Sequence, residues 1–390
     1  MADNRKIVTT TPENSETPLE NLRSWVTPNR LFFVRNHFDV PEVDLATWRL
    51  TVAGCVERQR EWTFEELGAL PERTVFATVE CAGNGRSFLQ TKAAGVQWGA
   101  GAIGHAEWTG VPLKTVLEES GIKPGTQEVV FEGCDRGTES DHPEQMPFAR
   151  SLPIAKALDE NTLLVLRMNG ELLEPAHGFP VRLFVPGWYG VASVKWLKGV
   201  SLIDSRFQGY FQTKKYTVQH RTFHGVETVV VGPMSVKSEI IRPHAEEVLG
   251  VGTSRLFGVA WAGEEAVAAV EISTDGGQSW NRASLVGPSA PYSWSMWEYL
   301  WEVATPGEYS LLARAISSGG HVQPLNHDPL HGGYQIHHSR PTPVRVEAGR
   351  RATSQFAGAD EFVYDMIAYA EEKARVPLDV ELEFAVGAGI

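Results

Sequence analysis

A chain of 390 residues exceeds what one hydrophobic core usually organises, so two domains are expected. Apolar residues make up 42% and charged residues 21%, a soluble globular balance with enough material for a large core. The formal net charge of −13 argues against nucleic acid or anionic membrane as a partner, and an anionic ligand would need a basic pocket set into an acidic exterior.

In chain order, residues 1–29 are polar and hold Pro12, Pro18 and Pro28, and read as a loosely held N-terminal arm. They contain no apolar export segment, and no run anywhere approaches the roughly 20 apolar residues of a membrane span, so a cytoplasmic location is expected. Residues 30–231 carry mixed signals. Residues 48–52 alternate like a strand, and Thr63 with Glu66 forms a capping-box pattern at a helix start. Residues 75–79 are strand-like and run into a glycine-rich loop. A short helix is expected over residues 113–120, ended by Gly121, and strands over 129–131 and 181–185. The pattern is α+β without regular βαβ alternation. Residues 232–348 change character: apolar segments at 256–261, 267–272, 297–303 and 309–316 are separated by turn residues, as in an immunoglobulin-like β-sandwich. Residues 349–390 form a tail with helical apolar spacing at Phe362, Met366, Ile367 and Tyr369.

Three cysteines, Cys55, Cys81 and Cys134, are too few and too odd in number for a disulfide framework and fit a reducing compartment. Cys81 lies where the expected strand meets the loop. Gly83 and Gly85 permit unusual dihedrals there, and Arg86 favours a thiolate, the form that ligates metal. Alone, Cys81 reads more readily as a buried structural thiol at a turn. Gly99, Gly101 and Gly104 satisfy G-x-G-x-x-G but follow no apolar strand, which argues against nucleotide binding. His321, His327, His331, His337 and His338 cluster without a standard zinc spacing and read as a solvated loop group.

Four motifs occur in order: Phe32-Phe33-Val34-Arg35-Asn36-His37, Val79-Glu80-Cys81-Ala82-Gly83-Asn84-Gly85-Arg86, His177-Gly178-Phe179-Pro180-Val181-Arg182, and Ser193-Val194-Lys195-Trp196. Together they resemble the sulfite oxidase family of molybdopterin-dependent oxidoreductases, heme-free bacterial type, over residues 30 to 345. The resemblance implies a molybdopterin-binding catalytic domain over 30–231 and an immunoglobulin-like dimerisation domain over 232–348. It implies Cys81 as the metal ligand, and Arg35, Asn36, His37, Asp135, His177, Arg182, Ser193, Val194 and Lys195 as residues that hold molybdenum-molybdopterin. Arg35, Arg86, Trp98 and Tyr216 match the substrate pocket. The implied activity is oxygen-atom transfer involving a small oxyanion, sulfite to sulfate, with electrons passed to a cytochrome-like acceptor or oxygen, in a homodimer without heme. One departure stands out: Tyr334 occupies the place of a further pocket arginine, with Arg340 the nearest alternative. Nitrate is therefore kept as an alternative substrate, and a cofactor-free scaffold as an alternative role.

Overall fold

The computed structural model describes residues 4–22 and 24–351, with the backbone of Glu383–Phe384. The expected terminal helix within residues 349–390 lies outside the described residues. Strands dominate. The helices among the described residues are short, the longest being Leu113–Ser120. The described residues are mostly β with few helices. Their helical signals span only one or two turns, too short to propagate on their own.

The strands expected at 48–52, 75–79 and 129–131 appear as Leu50–Gly54, Arg73–Glu80 and Glu128–Glu139. The capping box is present: Thr63 accepts from Glu66 N while the Glu66 side chain accepts from Thr63 N. Two five-stranded sheets build the first unit. One runs Glu171–Leu172, Leu163–Met168, Ile103–Pro112, Arg73–Glu80, with Arg182–Phe184 added on Leu163–Met168. The other runs Arg60–Trp62, Leu50–Gly54, Leu197–Ile203, Glu128–Glu139, His142–Pro153, with Leu50–Gly54 and Leu197–Ile203 parallel. From Lys237–Arg242 to Thr342–Arg351 a second unit of eight strands follows, and it includes all four segments expected there. No helix among the described residues is long and apolar enough to cross a membrane.

The N-terminal segment is not loosely held. Glu13–Glu16 pairs with Lys6–Thr10 on one side and Val34–Arg35 on the other. Asn14, Ser15, Glu16 and Thr17 are buried. Glu16 accepts from Gly99 N, and Thr17 N donates to Gly101 O. A Cβ on Gly101 would stand 1.9 Å from the Thr17 carbonyl oxygen, so this glycine exists to admit the crossing strand. That close approach, not a phosphate, accounts for the G-x-G-x-x-G run.

His105 joins the two units. It is fully buried between the rings of Trp25 (4.5 Å) and Trp294 (5.5 Å), donates through Nδ1 to Trp25 O at 2.7 Å, and sets Nε2 3.0 Å from Ser293 Oγ. Burial pushes its pKa down from 6.5 to about 3. The folded protein therefore refuses a proton that the unfolded chain accepts, and stability is lost as pH falls from 6.5 towards 3. We expect His105→Gln to flatten part of that acid limb, by up to about 4 kcal/mol. Urea unfolding at a series of pH values between neutrality and mild acid checks it; an unchanged limb rejects the assignment.

Candidate active-site cleft

The Arg73–Glu80 strand delivers Cys81 to the edge of its sheet, where Cys81 N donates to Ala102 O at 2.9 Å. The turn that follows is closed by Asn84 N donating to Cys81 O at 2.8 Å. A Cβ on Gly83 would fall 2.3 Å from the Arg86 guanidinium, so the glycine is what lets that side chain fold back under the loop. Glu80, buried beside the cysteine, accepts from Lys237 Nζ (3.0 Å), Trp261 Nε1 (2.9 Å) and Asn84 Nδ2 (3.1 Å). The second unit thereby grips the strand end that carries the sulfur.

Cys81 opens on a cleft of about 690 Å³, solvent-open space included. Arg35, Asn36, His37, Asp135, His177, Arg182, Ser193, Lys195 and Tyr216, all named by the family resemblance, line it with Cys81. Lys195 donates to Asn36 Oδ1 and to Ala176 O at 2.8 Å, and lies 4.2 Å from the Trp196 ring centroid. Arg182 donates to His177 O (3.1 Å) and Ser193 O (3.3 Å). Arg35 donates to Asn14 Oδ1 (3.2 Å) and the Asn36 carbonyl, with Nη2 3.5 Å from Tyr216 Oη. His37 Nε2 is 2.6 Å from the same hydroxyl. Trp196 and Tyr216 both hold φ near +50 to +56°, strained for side chains of their size, as functional sites often are.

The electrostatics are one-sided. Burial holds the Lys195 ammonium well below its usual pKa, with Arg182 adding to the effect, and burial lowers Arg182 to about 10. Burial, then Lys195 and Arg182, lowers His177 to about 3, and burial with Arg35 keeps His37 neutral. Burial raises the Cys81 thiol, with Arg35 the main opposing charge. Burial lifts Asp135 to about 7 against the pull of Lys195. None of Arg35, Arg182 or Lys195 forms an ion pair among the described residues, and Asp135 Oδ1 and Arg182 Nε are buried without hydrogen-bond partners. A donor set with cations in excess, one soft sulfur and two orphaned polar atoms fits a phosphate-bearing sulfur ligand of a heavy metal. Among the described residues, no group of three His, Cys, Asp or Glu has metal-binding geometry, so the cleft offers one protein sulfur only.

Residues 37–211 match the family described as oxidoreductase molybdopterin binding domain, and residues 229–330 the Mo-co oxidoreductase dimerisation domain. The sulfite oxidase of Gallus gallus is 34% identical over 343 residues, 82% of this chain and 72% of that protein. The chain belongs to the sulfite oxidase family of molybdopterin-dependent oxidoreductases. The mitochondrial sulfite oxidase of Drosophila melanogaster is 34% identical over 337 residues, 80% of this chain; the chain spans 58% of that relative's length. The sulfane dehydrogenase SoxCD from Paracoccus pantotrophus shares the fold, with a TM-score of 0.74, 29% identity and 87% of each chain covered.

Three family-matched residues do not reach the cleft wall. Trp98 is wholly buried in the core cluster that also holds Cys81. Val194, between two wall residues, turns into the core. Arg86 is committed to carbonyls, Val96 O at 2.8 Å and Gly333 O at 2.8 Å, and so ties the Tyr334 loop to the cysteine loop. Tyr334 packs 4.8 Å from Tyr216 and 5.3 Å from the Arg86 guanidinium. Arg340 does not replace the missing arginine: it pairs with Glu239 at 2.6 Å and covers Phe88. Wall residues given no role from the sequence include Phe32, Phe33 and Trp196, which lie inside the motifs, Gly190 and Val191, just before the last of them, and Phe148, whose strand gave no signal.

Lys195→Met tests the cation ring. Removing a buried, unpaired ammonium should leave the stability of cofactor-free protein unchanged or raised. The pterin retained after gel filtration, read by fluorescence of its oxidised form, should fall by at least about ten-fold. Full retention in the variant rejects a cofactor role for Lys195.

Proposed function

We propose that this protein is a molybdopterin-dependent oxidoreductase that oxidises sulfite to sulfate and passes the electrons to an external acceptor. The observation that carries the reading is Cys81 on the wall of a cleft whose cations Arg35, Arg182 and Lys195 form no ion pair among the described residues. In this reading Cys81 gives molybdenum its protein sulfur. Arg182, Lys195, His177 and Ser193 hold the pterin phosphate, and Asp135 with Asn36 meets the pterin. When bound, the molybdenum centre supplies the two-electron oxygen-transfer chemistry that side chains cannot.

The protein's share is binding and orientation. Arg35 presents a planar fork suited to an oxyanion. Burial keeps the Tyr216 hydroxyl protonated, and Arg35 and His37 fix its oxygen. Its proton can point to His37 or to a bound anion. Arg86 acts from behind the wall, as a positioning residue for Tyr334. We further propose that the second unit is an immunoglobulin-like sandwich that pairs two copies, a reading supported by its match to the dimerisation domain. Tyr334 in the place of an arginine supports a second reading: the same cofactor acting on another oxyanion such as nitrate.

Cys81→Ser is expected to fold, to lose molybdenum by elemental analysis, and to lose sulfite-dependent ferricyanide reduction by roughly 100-fold or more. Sulfite turnover at the parent rate would reject Cys81 as the ligand. Steady-state assays of the parent protein with sulfite and with nitrate separate the two substrates; nitrate turnover without sulfite turnover selects the second.

A further inference from the structure

The strands Thr217–Thr222 and Gly225–Val230 pair only with each other, from Thr217 with Val230 to Thr222 with Gly225. Every residue from 219 to 230 is exposed. Phe223 at the tip is 99% exposed, Val226 55% and Val230 38%. A two-stranded hairpin without a third strand is marginal in water, and apolar side chains held out on such an arm mark a contact surface. Residues 217–228 of the arm lie between the two family matches, one of which ends at residue 211 while the other begins at 229.

The arm starts at the cleft. Its first strand leaves Tyr216, a wall residue, and its second returns to Val231, whose carbonyl accepts from Arg150 at 2.9 Å. The Tyr216 ring stacks near Tyr334, and the loop that carries Tyr334 touches the arm twice: Arg221 pairs with Asp328 at 2.7 Å, and the His220 and His331 rings are 5.5 Å apart. One loop thus contacts both the cleft wall, through Tyr334, and the arm, through Asp328 and His331.

Charge narrows the occupant. Arg221 and Glu227 offset each other on the arm, and Arg221 faces Asp328, so the exposed Phe223, Val226, Val229 and Val230 sit on a nearly neutral patch of a chain of net charge −13. Such a body attracts a cationic protein over long range and repels a second copy of itself. Size points the same way. Stable dimers bury on the order of 1,600 Å², more than one such arm supplies, whereas transient redox encounters use less.

We propose that this hairpin is the docking arm for a one-electron redox protein with a basic surface and an apolar rim around its cofactor edge. The proposal rests on the sulfite-oxidising reading. Sulfite and water give sulfate, two protons and two electrons, and the electrons leave singly, each reducing one ferric heme to ferrous.

The test uses molybdenum-loaded protein carrying Phe223→Ser and Val226→Ser, changes at exposed positions outside the cleft. Sulfite oxidation is followed with ferricyanide, a small ion that needs no docking arm, and with horse heart ferricytochrome c, a basic heme protein. The variant should match the parent with ferricyanide. Its kcat/KM for cytochrome should fall by at least about ten-fold, and the parent's cytochrome rate should fall with added salt. An unchanged kcat/KM for cytochrome overturns the proposal. Equal losses with both acceptors overturn it too, since the arm would then serve the cleft itself. A lowered mass by light scattering also overturns it, by assigning the patch to a second copy. If the parent shows no sulfite turnover, the sulfite-oxidising reading fails separately, and calorimetric titration with ferricytochrome c decides docking. Binding weakened ten-fold in the variant supports the arm; absent or unaltered binding rejects it.

Discussion

The Glu80 carboxylate is the interaction on which the rest depends. It is buried one residue before Cys81, and it receives a lysine and a tryptophan from the second unit and an asparagine from the cysteine loop. Lys237 also faces Glu239 at 3.4 Å, and Arg340 carries the chain of charges to Phe88, just past the loop. Both flanks of the loop are therefore held by the same strand of the second unit. Removing one member of a buried charged network leaves its partner desolvated and unpaired, at a cost of about 3–5 kcal/mol. Charge pairing at Glu80 thus anchors the strand end that carries the sulfur, while the glycine-rich loop shapes the turn beyond it.

The cleft a few residues away shows the opposite arrangement. There the cations outnumber the acids, Asp135 is pushed towards neutrality, and two polar atoms lack partners. Buried charges left unmatched by a protein that matches them elsewhere are groups arranged for a ligand. The contrast between a satisfied network and an unsatisfied one, side by side, separates what holds the fold from what recognises a molecule.

Much of this was legible in the sequence. The family resemblance brought ten of thirteen expected site residues to one wall, eight of them from the four motifs and Asp135 and Tyr216 from outside them, because each motif is a turn or strand end whose backbone is pinned by glycine, proline or a buried partner. The misses have physical causes. Neighbouring side chains diverge along a chain, so Val194 faces the core although Ser193 and Lys195 face the cleft. Arg86 has the right charge, but its reach is consumed by two carbonyls from distant loops. The Glu13–Glu16 strand was unreadable because it is four polar residues long, and its burial is offset by hydrogen bonds that appear only once residues 35, 36 and 99 arrive. The two short helices expected at 63–67 and 113–120 were legible because a capping box and a terminal glycine mark their ends.

The parallel ladder between Leu50–Gly54 and Leu197–Ile203 has a consequence for assembly. Thr51 cannot meet Gly199 until a span of about 150 intervening residues has been brought into register, a high contact order that slows folding. The same ladder forms the centre of the sheet whose next strand holds Asp135 and whose last holds Phe148, both on the cleft wall. Asp135 and Phe148 therefore take their places on the wall through a sheet that closes only by this non-local pairing. A fragment that stops short of residue 197 would strand the early half of the sheet with an open edge, a template for aggregation.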